Sequence, residues 1–345
     1  MIRICTSLAQ AGYKVILVGR KTAKSIPLTT QPFIQKRLRC LFTKGFAFYA
    51  EYNLRLFFFL LFKKKDAVCA IDLDTILPCF YVSKMKKVKR IYDAHELFCE
   101  MKEIVTRPRV YKWWKKIEQM TVPHFKLGYT VNEPIAAEFN KMYGSNYEVI
   151  RNIARYRSDG QLIPKGKYIL YQGAVNEGRS FETLIPAMKY IEMPLIICGK
   201  GNFYDQAVRL AEESGVADKI SFRGMIPPAE LKSYTDKAFL GITLFENKGL
   251  SNYFSLANRF FDYLQSGVPQ LCVDYPVYQE INKKYEVALL VKDLSPENIA
   301  RQINSLIEDQ SKWEQLHQNC IAAAKEYNWE NEEQKLLAFY KNIFG

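Results

Sequence analysis

The chain has little of what marks several common protein classes. Its longest uninterrupted apolar run is Leu56 to Phe62, far short of the roughly 20 residues that a membrane-spanning helix needs. Met1-Ile2-Arg3 leads into a polar, amphipathic stretch with no apolar secretory core, and no internal repeat is visible. The eight cysteines (Cys5, Cys40, Cys69, Cys79, Cys99, Cys198, Cys272 and Cys320) never form a C-x-x-C pair, which argues for reduced thiols over a disulfide frame or zinc knuckle. Histidine is scarce, at His95, His124 and His317. What is present, 48% hydrophobic and 25% charged residues, is ordinary globular composition and excludes disordered, collagen-like and solenoid chains. At 345 residues the chain exceeds what one core usually supports, so a soluble, cytoplasmic, two-domain protein is expected.

The net charge of +13 is unevenly spread. Residues 1–157 hold 29 Lys and Arg against 12 Asp and Glu, or +17; the remaining 20 against 24 give −4. Such asymmetry implies that two domains face different partners. Basic clusters at Lys63-Lys64-Lys65, from Lys84 to Arg90 and from Lys112 to Lys116 read as solvated helix faces, as a nucleic-acid surface or as an anionic-membrane surface. Residues 46–62 are helical in period and aromatic on both faces, which suits either burial against a sheet or an interfacial helix with Lys63-Lys64-Lys65 at headgroup level.

Strand and helix patterns alternate throughout. Apolar strands are expected at 15–19, 67–71, 88–92, 127–131 and 148–150, then at 168–171, 195–198, 219–222, 239–243 and 268–273. Helices are expected at 2–11, 181–190 and 256–266, and over 313–344 with a break near Tyr327-Asn328. A polar segment carrying Ser158-Asp159-Gly160 and Pro164-Lys165-Gly166 reads as a linker. Two successive β-α-β series imply an α/β fold of two doubly wound, Rossmann-like domains facing a cleft. The expected boundaries are 1–157, 158–326, and 327–345 as a C-terminal helix returning to the first domain. A doubly wound domain ordinarily opens on a central strand, whereas this chain opens on a helix. Either the start falls late or the first domain lacks its N-terminal strand, leaving a seam of unpaired backbone; a truncated or misassigned start is the expectation.

Three strand ends in the second half carry features suited to phosphate. The turn Gln172-Gly173-Ala174-Val175-Asn176-Glu177-Gly178-Arg179 leaves a strand and enters a helix, offering free N–H groups to an anion with Arg179 beside them. Cys198-Gly199-Lys200-Gly201 repeats the theme. In the run from Ser255 to Pro269, Ser255 reads as a helix N-cap, Asn258 and Arg259 fall in the first turn, and Asp262 lies one turn on. Together these predict a site for a nucleotide diphosphate.

These residues resemble the nucleotide-sugar-binding domain of GT-B glycosyltransferases, specifically glycosyltransferase family 4. The likeness rests on the loop from Gly173 to Arg179, on Leu184-Ile185-Pro186-Ala187, and on Asp262 five residues before Gly267-x-Pro269. In the first half it rests on Ser7 to Tyr13, Asp72-Leu73-Asp74-Thr75, Tyr92-Asp93-Ala94-His95-Glu96 and Arg151-Asn152. The resemblance implies sugar transfer from a nucleotide-diphosphate donor to an acceptor hydroxyl, with retention of configuration, no metal and no cofactor. It gives Arg179 the donor diphosphate and Asp262 the ribose hydroxyls, and sets Gly173, Lys200, Ser255, Asn258 and Arg259 around the donor. The loop of Phe222-Arg223-Gly224-Met225 would read the base, and His95 would stand near the reacting sugar. Phe254 occupies the place of the family's first glutamate, for which Asn252 or Ser255 could substitute, and Ala174 that of an arginine after the loop glycine. A saccharide or lipid-linked acceptor on the basic side is expected, with the protein peripheral on the inner membrane face in surface polysaccharide or glycolipid assembly.

Other readings compete. A metal-nucleotide role for Asp72-x-Asp74 is disfavoured because basic groups at the diphosphate already neutralise the leaving group. His95-Glu96 lacks the second histidine of a zinc helix. A sugar-nucleotide 2-epimerase would want more histidines and carboxylates in its cleft. Ala174, Phe254 and the odd start favour a non-catalytic scaffold subunit of the same fold, and a nucleic-acid binder has charge but no recognition motif.

Overall fold

The computed structural model describes every residue except 24, 26, 160–162 and 164, so part of the expected linker, Gly160 and Pro164 included, lies outside the described residues. The chain forms two compact α/β units. The first comprises Met1–Asn152 and Glu332–Gly345, the second Ile153–Asn331. The division thus follows Asn152 where Arg157 was expected, and the C-terminal return begins at Glu332 where 327 was expected.

The first unit carries strands β1 (Ile16–Lys21), β2 (Ile34–Arg39), β3 (Ala67–Ile71), β4 (Lys89–Ala94), β5 (Leu127–Thr130) and β6 (Glu148–Val149). They form two separate parallel sheets, β1-β2 and β3-β4-β5-β6. β1 was expected to be buried, yet its residues are only half-buried and Ile16 is 39% exposed. The reason is its neighbourhood: β2 covers one of its edges, and among the described residues no strand pairs with the other. β2 escapes sequence reading because Ile-Gln-Lys-Arg-Leu-Arg is a basic edge strand with little apolar content.

The second unit carries β7 (Ile169–Gln172), β8 (Leu195–Cys198), β9 (Ile220–Gly224), β10 (Leu240–Thr243), β11 (Gln270–Val273) and β12 (Ala288–Val291). All six join one parallel sheet in the order β12-β11-β10-β7-β8-β9. β7, β10 and β11 are buried along their whole length, as strands covered by helices on both faces must be. The C-terminal helices Gln310–Glu326 and Trp329–Phe344 break at Tyr327-Asn328, where the Asn328 amide donates to the Ala324 and Lys325 carbonyls at 3.1 and 2.8 Å. Trp329, wholly buried, pins the second helix through its N–H to the Ala154 carbonyl at 2.8 Å. No helix among the described residues is long and apolar enough to cross a membrane.

Candidate functional site

In the second unit the chain runs outward from β7 through β8 to β9, then resumes at β10 on β7's other flank. Loops leaving the C-terminal ends of β7 and β10 therefore diverge, and the crevice between them is where doubly wound sheets hold ligands. Phe245, two residues beyond β10 and buried, sits there. The guanidinium carbons of Arg179 and Arg259 lie 4.5 and 4.8 Å from its ring centroid. Two cations from segments 80 positions apart thus share one aromatic ring, an arrangement that favours each through the ring quadrupole.

Arg259 is the more deeply set, at 9% exposure. Its Nε donates to the Ile242 carbonyl at 3.1 Å, its Nη1 to the Tyr171 hydroxyl at 3.4 Å, and its Cζ stands 4.7 Å from the Tyr171 ring. Nη2 is buried with no hydrogen-bond partner. Buried charges are ordinarily paired, so Arg259 brings to the crevice a guanidinium edge with hydrogen-bonding capacity to spare. A Cβ on Gly173 would stand 3.4 Å from Nη1; glycine keeps that approach open.

The loops around the crevice are stitched together. Gly173 N–H donates to the Cys198 carbonyl at 2.9 Å, Val175 N–H to the Lys200 carbonyl at 3.2 Å, and Glu177 N–H to the Asn202 side chain at 3.0 Å. A Cβ on Gly199 would fall 1.7 Å from the Gly173 carbonyl oxygen, so only glycine permits this contact. Three N–H groups expected to be free for an anion are therefore engaged in holding the loop, and the side-chain cations carry the larger part of the electrostatics. Lys200 is exposed and leans toward β9, its Nζ 5.4 Å from the Tyr204 ring and its Cε 3.3 Å from where a Gly224 Cβ would be. Met225, next along, is 75% exposed.

The helix expected at 256–266 spans Asn258–Gln265. Its N-cap is Ala257, not Ser255, with no side-chain cap bond; the Ala257 N–H instead donates to the Tyr278 hydroxyl at 3.1 Å. The Ser255 hydroxyl is buried beside the Tyr278 phenol. Asn258 is exposed at the first helical position, and Asp262, one turn on, accepts from Gln172 Nε2 at 3.0 Å. Gln172 Oε1 in turn accepts from Thr235 at 2.6 Å, fixing the carboxylate to the end of β7. Phe245 was missed at the sequence level, and Gln172 was read only as the start of the turn; their position at the ends of adjacent strands was the available signal.

In the first unit, His95 follows β4 directly. Its N–H donates to Asp72 Oδ1 at 2.8 Å, and its Nε2 lies 3.1 Å from Asp93 Oδ1. Asp72, past the end of β3, holds φ of 52°, a conformation unusual for a non-glycine residue. Burial disfavours the imidazolium, but the Asp93 charge and hydrogen bond, with the Asp72 charge, outweigh it and lift the His95 pKa to about 9. Burial lifts Asp72 to about 7 and Asp74 to about 6. Among the described residues no group of three or more His, Cys, Asp or Glu is placed to hold a metal ion.

Solved structures with the same fold are numerous at low identity. Sucrose-phosphate synthase from Thermosynechococcus elongatus superposes with a TM-score of 0.78 at 16% identity, covering 99% of this chain and 92% of that one. WaaG, a glycosyltransferase involved in lipopolysaccharide biosynthesis, gives 0.74 at 15%, covering 97% and 93%. Anabaena HepE in complex with UDP-glucose gives 0.69 at 11%, covering 90% and 86%. No curated protein is similar enough in sequence to count as a match. The family model described as glycosyl transferases group 1 matches residues 152–327, which include the whole crevice and just over half of the sequence. The chain has a GT-B fold and belongs to the group 1 glycosyl transferases.

Proposed function

We propose that the second unit binds a nucleoside-diphosphate sugar, and that the protein transfers the sugar to an acceptor hydroxyl with retention of configuration, in the manner of glycosyltransferase family 4. The observation that carries the reading is the pair of guanidiniums on Phe245, one of them buried with its Nη2 unbonded. The reaction breaks the bond between the anomeric carbon and the diphosphate oxygen and forms one to the acceptor oxygen. The acceptor's proton passes to the departing phosphate. Arg179 and Arg259 would hold the charge that grows on that phosphate, a role worth about 3 kcal/mol per preorganised donor. Asp262, already oriented by Gln172, would accept from the ribose hydroxyls, and the Met225 loop would meet the base. His95, kept cationic at neutral pH, would donate to the sugar instead of acting as a base.

The basic first unit is proposed to take a saccharide or lipid-linked acceptor at an anionic membrane surface. In support, the helix Gly45–Phe62 exposes Phe46 at 78%, Leu54 at 58% and Phe62 at 80%, directly before Lys63-Lys64-Lys65. HepE's complex with UDP-glucose supports a uridine nucleotide as the first donor to try. The test is isothermal calorimetry with UDP, GDP and ADP, followed by donor turnover with the matching sugar nucleotide. A folded protein that binds none of the three refutes the proposal.

A further inference from the structure

His95 is held from two directions, and each holder is an acid at a strand end. β3 and β4 pair as far as Ile71 and Asp93. Just past that point the Asp72 N–H donates to the Asp93 carbonyl at 3.0 Å, and Asp72 Oδ1 accepts from the His95 backbone N–H at 2.8 Å. Asp72 does this at φ 52° and ψ 176°, a conformation that residues other than glycine adopt only where their surroundings enforce it. The second acid holds the ring, since His95 Nε2 lies 3.1 Å from Asp93 Oδ1. Asp93 is 2% exposed, and its Oδ2 is buried with no hydrogen-bond partner. A buried carboxylate is costly unless a cation or several donors meet it, and His95 is the group in contact with this one. Nε2 is buried while the His95 side chain keeps 27% exposure, so the nitrogen on the open edge of the ring is Nδ1.

We propose that Asp93 and Asp72 are positioning residues, which together hold His95 as an imidazolium whose Nδ1–H faces outward as a donor to an oxygen of the bound sugar. The inference rests on the function proposed above and names what sets the histidine's part in it. A neutral imidazole carries a single N–H. With Nε2 turned to a carboxylate, that proton stays on Nε2 and leaves Nδ1 a bare acceptor. Only the doubly protonated ring satisfies Asp93 and donates to a ligand oxygen at the same time. Burial favours the neutral ring, but the Asp93 charge and hydrogen bond, with the Asp72 charge, outweigh it and set the pKa at about 9. The other charged groups nearby are Glu96, which acts on Asp72, and the Met1 ammonium, which opposes the two acids. The first acid of Asp72-x-Asp74 thereby acquires a role in the first unit.

The test measures turnover of wild type and Asp93→Asn from pH 6 to pH 8, as the ratio of variant to wild type at each pH. Asparagine keeps the shape of the side chain and removes its charge, so the His95 pKa should drop from about 9 to its ordinary value of about 6.5. The ratio is then about 0.03 at pH 8 and about 0.8 at pH 6, a rise of about twentyfold on acidification. The loss should fall on kcat, with calorimetric affinity for the nucleoside diphosphate unchanged. In a His95→Gln background the same change should cost less than about threefold at either pH. A flat ratio, or an equal loss in that background, overturns the proposal. Should Asp93→Asn not fold, Asp72→Asn removes the second charge and keeps an oxygen for the His95 backbone N–H; the ratio should tilt the same way by a smaller factor, and a flat ratio there also overturns the proposal. Nitrogen NMR reads the ring without turnover: His95 should be doubly protonated at pH 7.5 in wild type and singly protonated in Asp93→Asn. A singly protonated wild-type ring overturns this inference even where the donor is turned over, whereas a wild type that binds no nucleotide refutes the function proposed above.

Discussion

Replacing Arg259 by Met separates a ligand-binding role from a structural one. In the unliganded protein the change removes the bonds to the Ile242 carbonyl and the Tyr171 hydroxyl and both ring contacts. Leaving buried acceptors unpaired costs about 1–3 kcal/mol each. Against this, burying a cation without a counter-ion is itself unfavourable by several kcal/mol, and methionine relieves that. The two effects nearly offset, so the Tm of the free protein should move by only a few degrees. Nucleotide binding has no such compensation. A hydrogen bond to a charged group contributes about 1.5–3 kcal/mol, so the affinity for the nucleoside diphosphate that binds should fall roughly 10- to 150-fold. Thermal shift makes the contrast visible. Nucleotide at a hundred times the wild-type Kd stabilises by about 2.7 kcal/mol, which for a unit of this size raises Tm by about 5–10 °C. A variant weakened a hundredfold would gain only about 0.4 kcal/mol at that concentration, or a degree or two. Arg259→Lys retains the charge without the planar fork and should fall between. Equal calorimetric affinity in Arg259→Met and wild type would refute the assignment.

Other expectations follow from single contacts. Arg179→Ala should lower turnover by about two orders of magnitude, the loss of one charge-stabilising donor; undiminished turnover in a donor-transfer assay would remove it from the reaction. Asp262→Asn still accepts from Gln172, so stability should hold while nucleotide affinity falls at least tenfold by calorimetry. Gly199→Ala drives a methyl into the Gly173 carbonyl, whereas Gly215→Ala at φ +67° meets nothing within 4 Å. The first should abolish nucleotide binding or folding, and the second should cost only about 1 kcal/mol of stability. His95, with its pKa raised to about 9 by Asp93 and Asp72, should stay protonated at neutral pH in NMR titration. Its contribution to stability is then complete below about pH 6.5 and fades as pH climbs through about 9, and His95→Gln should flatten that alkaline limb of a denaturation series.

What the sequence disclosed follows the range of the interactions involved. Strands such as Leu195–Cys198 and Ala67–Ile71, and the break at Tyr327-Asn328, are written in local apolar runs and local side-chain capping. The individual cations of the site were legible too, because glycine turns and basic residues at strand ends are short-range patterns. Their assembly was not. Arg179 meets Arg259 across Phe245, and the helix starts after Ala257, whose N–H is held by Tyr278 some 20 residues on. The same distinction explains β1. Its apolar sequence announces a strand, but how far that strand is buried depends on its neighbours, and among the described residues only β2 pairs with it. In the second unit, by contrast, β7, β10 and β11 each have a strand paired on either edge and are buried along their whole length.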